Sequence, residues 1–341
     1  MRQQTQKAVD LARDLIAIES TTGSEEPVSD FVAAYLKQRG WQVEKLPVEN
    51  RRWNIFARLG EPRVVFSTHM DTVPPFLAPS EDADYLYGRG ACDAKGVLAA
   101  QAVAAGLLAD EGVDGIGLLF VVGEERNSAG ALAANEWIHR QPFAGRVRYL
   151  INGEPTENRL ALGTKGSLRC WIQAHGRSAH SAYPELGVNA IEKLLEALLR
   201  LRAVELRSDP ELGSETLNLG TIAGGTRPNI VPDSASAEVM LRLVGPVEPI
   251  KRAVAEAVGS LAEVRFEFEV PCIRLKRIEG FDAAPMAYTT DIPFLTRFGE
   301  PLLLGPGSIH DAHTLAEKIS KAELLRGVEL YRLLARRLLE E

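Results

Sequence analysis

Histidine and acidic side chains are concentrated in five short stretches of the chain, each of which follows an apolar run. The stretches are FSTHMDTVPP (66–75), GRGACDAKG (88–96), GEER (123–126), INGEPTE (151–157) and GPGSIHDAHTLAE (305–317). Imidazole nitrogens and carboxylate oxygens, without thiolates, are the donors that zinc and similar divalent ions prefer. One zinc ion needs fewer ligands than these stretches offer. The pattern therefore predicts two metal ions that share a bridging carboxylate.

Two adjacent acids, Glu124 and Glu125, follow an apolar run that has the composition of a buried strand. Two carboxylates this close raise each other's pKa, so such a pair is rarely accidental at a strand end. One of the two can bind metal while the other stays unligated and takes a proton from the attacking water. Asp71 lies two residues after His69, on the same face of an extended segment. It is therefore expected to fix the tautomer of that histidine.

The elements that position these stretches alternate between strand and helix. The strands are predicted from WQVEKLPV, NIFARLG, RVVFSTH, IGLLFVVG and VRYLING, and an alanine-rich helix is predicted over about 95–110. Such alternation is typical of an α/β sandwich with a largely buried sheet. Ligands collect outside the carboxyl ends of the strands in such a sheet, so the five stretches are expected to converge on one edge.

The alternation of buried strands and helices is interrupted near Gly163 and resumes near Cys272. Between these residues the order strand–helix–strand–strand–helix–strand is typical of a ferredoxin-like α+β sandwich. The predicted organisation is a discontinuous catalytic domain over 1–164 and 273–341, with an inserted domain over 165–272.

Composition restricts the class of protein. The chain has 341 residues, of which 45% are hydrophobic and 25% charged, as in globular proteins. A formal net charge of −7 argues against a nucleic-acid or anionic-membrane partner. No apolar run approaches the roughly 18 residues of a membrane span, and the first residues resemble an amphipathic helix more than a signal peptide. Three cysteines without CxxC spacing predict a reduced, cytoplasmic protein.

Six motifs together resemble the acetylornithine deacetylase / succinyl-diaminopimelate desuccinylase family of di-zinc amidohydrolases. They are STHMDTVP, GRGACDAKG, GEER, GEPT, AHSAYPELGVNAI and GPGSIHDAHTLAE. Aminoacylases, carboxypeptidases and dipeptidases are relatives of this family. The resemblance runs from about residue 10 to 335, and it implies that the insert is a lid and dimerisation domain.

The same resemblance implies the metal ligands. His69 and Glu154 would complete one metal site, Glu125 and His313 the other, and Asp93 would bridge them. The metals implied are two zinc ions, with cobalt or manganese as alternatives.

Further roles near the metals follow from the resemblance. Glu124 matches the general base of the family, and the peptide bond after the bridging acid, here Asp93–Ala94, is commonly cis. His310 and His313 compete for the last ligand position. The family's histidine is followed by two or three residues and then an acid, which favours His313.

Four residues of the insert resemble substrate-contacting positions. His180 resembles the lid histidine that donates to the tetrahedral oxyanion. In dimeric relatives it comes from the partner chain, which predicts a homodimer with His180 acting in trans. Lys165, Asn229 and Arg242 resemble positions that bind the substrate carboxylate. Alternatively, Lys165 is a linker charge, Arg242 a solvated strand residue, and Asn229 a turn residue.

The reaction implied is hydrolysis of the amide bond of a small N-acyl amino acid, in particular an N-acetyl amino acid such as N-acetylornithine. Three alternatives within the hydrolases stay open: desuccinylation of succinyl-diaminopimelate, deacetylation of acetyl-lysine, and dipeptidase or carboxypeptidase action. An inactive metal-binding protein is the alternative from a different class. Retention of all five ligand residues together with Glu124 argues against it.

Overall fold

A computed structural model describes residues 2–341, with side chains described from residue 6 onward. The α-helices in this range are α1 (Arg2–Ile16), α2 (Glu26–Lys37), α3 (Lys95–Asp110), α4 (Ala129–Ile138), α5 (Ala190–Arg202), α6 (Val247–Val258) and α7 (Lys321–Glu340). None of these helices is long and apolar enough to cross a membrane.

The strands of the same residues fall into five sheets. They are β1 (Gln42–Glu49), β2 (Arg52–Arg58), β3 (Val64–His69), β4 (Ser80–Glu81), β5 (Tyr85–Tyr87), β6 (Ile116–Val121), β7 (Tyr149–Asn152), β8 (Leu160–Thr164), β9 (Gly166–His175), β10 (Ser208–Asp209), β11 (Gly213–Ser214), β12 (Thr216–Gly224), β13 (Ser234–Leu243), β14 (Glu263–Val270), β15 (Ile273–Arg274), β16 (Ala283–Met286), β17 (Glu300–Leu303) and β18 (Lys318–Ser320). The small sheets have the orders β10-β11, β15-β8-β16 and β18-β5-β4.

The chain divides into two compact units. The first runs to Ala161 and resumes over Leu275–Ala284 and Thr290–Glu341, and the second comprises Leu162–Arg274 and Pro285–Thr289. The sequence pattern did not indicate that 285–289 join the second unit. The exact domain bounds of 165–272 for the insert stay a prediction.

The first unit is built on a six-stranded sheet with the order β1-β2-β6-β3-β7-β17. Strands β6, β3, β7 and β17 run parallel, whereas β1 and β2 are antiparallel at one edge. Every residue of β3 and β6 is buried. Phe66 faces a core that includes residues of α1, α3 and α7, while its neighbour Val65 faces a second core with α4. Because both faces are covered, these strands are continuously apolar.

The parallel strands bring four of the five chemical stretches to one edge. β3 ends at His69 itself, β7 ends within the stretch 151–157, and β6 and β17 end just before the stretches that begin at 123 and 305. Strands that run parallel have their carboxyl ends on the same side of the sheet.

The second unit has a four-stranded antiparallel sheet with the order β12-β13-β9-β14. Apolar residues of β9 and β13 form its core with α5 and α6. This order and connectivity are those of a ferredoxin-like sandwich. The predicted fold class, an α/β domain with an inserted α+β domain, is confirmed. β12 lies at the sheet edge, and its Leu219 and Ile222 are 40% and 58% exposed.

Candidate metal centre

His69 occupies the last position of β3 and is fully buried. Its Nδ1 lies 2.9 Å from the backbone carbonyl oxygen of Asp71 and 3.5 Å from the Asp71 Oδ1. Its Nε2 faces the Oδ1 of Asp93 at 2.9 Å. Burial opposes protonation, but the hydrogen bonds to these two acids outweigh it and raise the pKa of His69 well above its usual range. A ring held at Nδ1 presents Nε2 to a metal ion.

The carboxylate of Asp71 does more than orient this histidine. Its Oδ1 accepts hydrogen bonds from the backbone N–H groups of Gly123 at 2.9 Å and Glu124 at 3.1 Å. Its Oδ2 accepts from the Glu125 N–H at 3.3 Å and from the Thr22 hydroxyl at 2.7 Å. The buried carboxylate therefore attaches the turn with the paired glutamates to the end of β3. The closer contact to the histidine is made by the Asp71 carbonyl.

Asp93 lies between two histidines, two residues before the start of α3. Its Oδ1 faces His69 Nε2 at 2.9 Å and its Oδ2 faces His313 Nε2 at 3.2 Å. The Asp93–Ala94 peptide bond is cis, as the family resemblance implies. Although burial opposes ionisation, hydrogen bonds from both histidines lower the pKa of this carboxyl. Each oxygen therefore points to a different imidazole, which is the disposition of a bridging ligand.

Glu125 and His313 form the second half of the cluster. Glu125 Oε1 lies 3.0 Å from His313 Nε2. The contacts with Asp93 and then with Glu125 raise the pKa of His313 to about 10, although its side chain is 50% exposed. His310, the alternative ligand, is exposed, and its backbone N–H donates to Ser308 Oγ at 3.4 Å.

Glu154 and Glu124 complete the acidic part of the site. Glu154 is buried, and its Oε2 lies 3.9 Å from His69 Nε2. Burial, followed by the negative charge of Glu154, raises the pKa of Glu124 well above its usual range. A perturbed carboxyl beside candidate metal ligands is typical of a group that transfers protons in catalysis.

The donor set fits a divalent metal. One ligand atom each of His69, Asp93 and Glu125 lies within 4.8 Å of the others. With Glu154 and His313 beside them, two imidazoles and three carboxylates face one another, and such donors suit zinc, cobalt or manganese. The seven predicted site residues of the first unit thus lie together: His69, Asp71, Asp93, Glu124, Glu125, Glu154 and His313. Their individual roles stay predictions.

The other predicted site residues belong to the second unit. His180 and Asn229 are exposed neighbours, because a β-bridge joins His180 to Ile230 and the Ser181 N–H donates to the Asn229 carbonyl. The Lys165 ammonium donates to the Ser214 carbonyl at 2.6 Å. Arg242 Nη1 donates to Thr289 Oγ1 at 3.3 Å. Binding of a substrate carboxylate by Lys165, Asn229 and Arg242 stays a prediction.

Sequence reasoning missed three residues around the centre. Thr22 contacts Asp71 from 49 positions away. Asp291 is fully buried, and burial raises its pKa to about 6. The sequence around Thr22 and around Asp291 carries no pattern that would place either residue near the metal centre. Glu317 contacts the loop that carries Asp93. In the sequence this acid serves only to distinguish His313 from His310.

Comparison with known proteins gives the family. Residues 162–264 match the peptidase dimerisation domain of the M20 family. A peptidase M20 domain-containing protein of Schizosaccharomyces pombe is 38% identical over 337 residues, which cover 95% of this chain and 83% of that protein. A probable carboxypeptidase of Neosartorya fischeri is 37% identical over 369 residues, covering 94% and 84%.

Solved structures agree on the fold. Aminopeptidase PepT of Bacillus cereus has a TM-score of 0.80 at 21% identity and covers 98% of both chains. The YXEP protein of Bacillus subtilis, described as a dinuclear metal binding peptidase from the M20 family, has a TM-score of 0.73 at 15% identity and covers 100% and 99%. The names of these four proteins indicate peptidases, not the narrower acetylornithine deacetylase branch. On the identity and coverage of its relatives, this chain belongs to the M20 peptidase family.

Proposed function

We propose that this protein is a metal-dependent hydrolase of the carboxypeptidase or dipeptidase type. It would cleave the amide bond that precedes a terminal amino acid with a free carboxylate. The observation that carries the proposal is the position of Asp93, whose two carboxylate oxygens face His69 and His313. The 37% identity to a protein named a probable carboxypeptidase supports peptide substrates over simple acyl amino acids.

The proposed cofactor is a pair of divalent ions, with zinc preferred and cobalt or manganese as alternatives. His69 and Glu154 would hold one ion and Glu125 and His313 the other, with Asp93 shared. The pairing of close contacts supports this division, because each histidine lies within 3.2 Å of one oxygen of Asp93. The Bacillus subtilis relative in fold, described as dinuclear, also supports two ions.

Glu124 is the proposed general base. Metal ions bound here would polarise the scissile carbonyl and lower the pKa of water to about 7. Glu124 then takes a proton from the attacking water and returns it to the leaving amine. The hydrogen bond from its N–H to Asp71 fixes the backbone of this base. Burial and the charge of Glu154 raise the pKa of Glu124, and such perturbed carboxyls are typical of groups that transfer protons.

The second unit is proposed to complete the site. His180 would donate a hydrogen bond to the oxyanion of the tetrahedral intermediate, acting in trans from the partner of a homodimer. The match of 162–264 to a peptidase dimerisation domain supports the dimer, as do the exposed apolar residues Leu219 and Ile222 on the edge strand β12. Lys165, Asn229 and Arg242 are proposed to bind the substrate carboxylate. The cytoplasmic location remains a proposal, which cell fractionation tests.

Deacetylation of N-acetyl amino acids such as N-acetylornithine is the second candidate function. The motifs AHSAYPELGVNAI and GPGSIHDAH favour it, and acetyl-lysine and succinyl-diaminopimelate are the further substrates to compare. Both candidates share the same chemistry at the metal centre. They differ in the acyl half of the substrate.

A substrate panel separates the candidates. The zinc-loaded protein is incubated with dipeptides, longer peptides, their C-terminally amidated forms, and the N-acyl amino acids named above, and released amine is measured. We expect cleavage of the peptides with a free carboxylate and none of the amidated forms. Cleavage of the N-acyl amino acids alone would contradict the peptidase proposal and favour deacetylation. No cleavage of any substrate would favour a metal-binding protein without activity.

A further inference from the structure

Glu317 places its carboxylate against the loop that carries Asp93. The residue is 1% exposed and lies four positions after His313 in the sequence. Its Oε1 accepts hydrogen bonds from the backbone N–H groups of Gly90 at 3.0 Å, Cys92 at 3.2 Å and Asp93 at 3.2 Å. One oxygen of a single side chain thus accepts hydrogen bonds from three backbone N–H groups within four residues, the last of them the central acid of the cluster.

The other oxygen of Glu317 is bound by an arginine from the same loop. Arg89 Nη1 donates to Glu317 Oε2 at 2.7 Å, and the Arg89 side chain is buried. The backbone continues the attachment, because the Gly88 N–H donates to the Glu317 carbonyl and β18 then pairs with β5. Glu317 is therefore held on both sides by the segment 85–93.

The chemistry of these contacts calls for a carboxylate of this length. A charged acceptor can satisfy several N–H groups at once, and the adjacent guanidinium offsets its burial. A glutamine would keep one acceptor oxygen but would turn an NH2 group toward the guanidinium of Arg89, donor against donor. An aspartate would keep the charge but is one methylene too short to reach both partners.

We infer that Glu317 is a positioning residue that sets Asp93 between His69 and His313. The N–H of Asp93 is one of its three backbone partners, and the Asp93 carboxylate lies within 3.2 Å of each histidine. His313 belongs to the same short segment as Glu317. One segment thus supplies a metal ligand and fixes the bridging ligand opposite it. The inference rests on the proposed function in so far as this cluster binds metal.

The test measures metal binding in two substitutions of different character. Glu317→Asp keeps the charge and shortens the reach, and Glu317→Gln keeps the reach and removes the charge. Zinc affinity is measured by competition with a chromophoric chelator, and the visible absorption of the cobalt-loaded protein reports ligand geometry. Leu338→Ala is the control, because Leu338 is buried in α7 and its truncation destabilises the fold by opening a cavity.

We expect Glu317→Asp to bind zinc about 10–100-fold more weakly than wild type, as is typical when a residue supporting a ligand is changed. Its cobalt spectrum should change as well, while Leu338→Ala melts at a lower temperature with normal affinity and spectrum. Wild-type affinity and spectrum in both Glu317 variants would overturn this inference and leave the proposed function unaffected. Loss of affinity in Glu317→Gln with full affinity in Glu317→Asp would also overturn it, because charge and not position would then matter. A wild-type protein that binds no metal would overturn the proposed function as well.

Discussion

Replacing Asp71 by asparagine tests whether its carboxylate holds the turn that carries Glu124, the proposed general base. In the native protein the two oxygens accept four hydrogen bonds, three from the backbone of 123–125 and one from Thr22. Asparagine keeps one acceptor oxygen for the N–H groups of Gly123 and Glu124. Its NH2 group then faces the Thr22 hydroxyl, which can rotate, and the Glu125 N–H, which cannot.

The expected loss of stability follows from these contacts. An unpaired buried N–H costs about 1–3 kcal/mol, and hydrogen bonds to a neutral acceptor are weaker than those to a charged one by about 1 kcal/mol each. Relief from burying a charge offsets part of this cost. We therefore expect the free energy of unfolding of the metal-free protein to fall by about 2–4 kcal/mol. A displacement of the base by about 1 Å should lower kcat about 10²-fold.

Urea denaturation of the metal-free protein and steady-state kinetics of the zinc-loaded protein check both values. Thr22→Val is the matched control: it removes the hydroxyl donor alone and should cost about 1 kcal/mol with little change in kcat. Because asparagine preserves the backbone carbonyl that His69 contacts, zinc affinity should fall less than in His69→Ala. Wild-type stability and kcat in Asp71→Asn would refute the reasoning. A loss of zinc affinity equal to that of His69→Ala would show that the carboxylate acts through the histidine instead.

Three further predictions concern the histidines. His313→Ala should weaken the binding of one of the two metal ions about 10–100-fold or more, whereas His310→Ala should leave the stoichiometry near two. A metal titration measures both variants, and the opposite pattern would assign the ligand to His310. Mixing inactive His180→Ala and Glu124→Gln dimers under subunit exchange should restore about a quarter of wild-type activity if His180 acts in trans, and a mixture that stays inactive despite exchange contradicts this. In the metal-free protein the pKa of His313 is about 10 when folded and about 6.5 when unfolded. The contribution of His313 to the free energy of unfolding is therefore full below pH 6.5 and is lost as pH rises through 10. His313→Gln should reduce the fall in stability across this window in urea titrations, and an unchanged slope would contradict the assignment.

The sequence predicts the framework of the site because its signals are local. The apolar run before Glu124 indicates a strand buried on both faces, and β6 has that position and burial. The alanine-rich segment predicts a helix over about 95–110, and α3 spans Lys95–Asp110. Parallel strands then bring together acids and histidines that are far apart in the chain. Their meeting at one edge of the sheet could therefore be predicted without knowledge of any side-chain contact.

The supporting contacts could not be predicted in the same way. The Cys92 N–H and the Glu317 carboxylate are 225 positions apart, and no periodicity relates them. The three N–H groups that Asp71 binds are oriented by the backbone conformation of the turn after β6. The pattern of side chains in the sequence does not predict that conformation. The histidine tautomer was expected to depend on the Asp71 carboxylate, yet the carbonyl of the same residue lies closer. The carboxylate accepts four other hydrogen bonds.

The most direct test of the central claim is the metal content and turnover of Glu124→Gln beside wild type. Glu124 is proposed to move protons without binding metal, while its neighbour Glu125 is proposed as a ligand. Glu124→Gln should therefore retain two metal ions per chain by mass spectrometry, while single-turnover hydrolysis slows about 10²–10⁴-fold or more. Near-normal turnover would contradict the account, and loss of a metal ion would mean that the roles of Glu124 and Glu125 are exchanged.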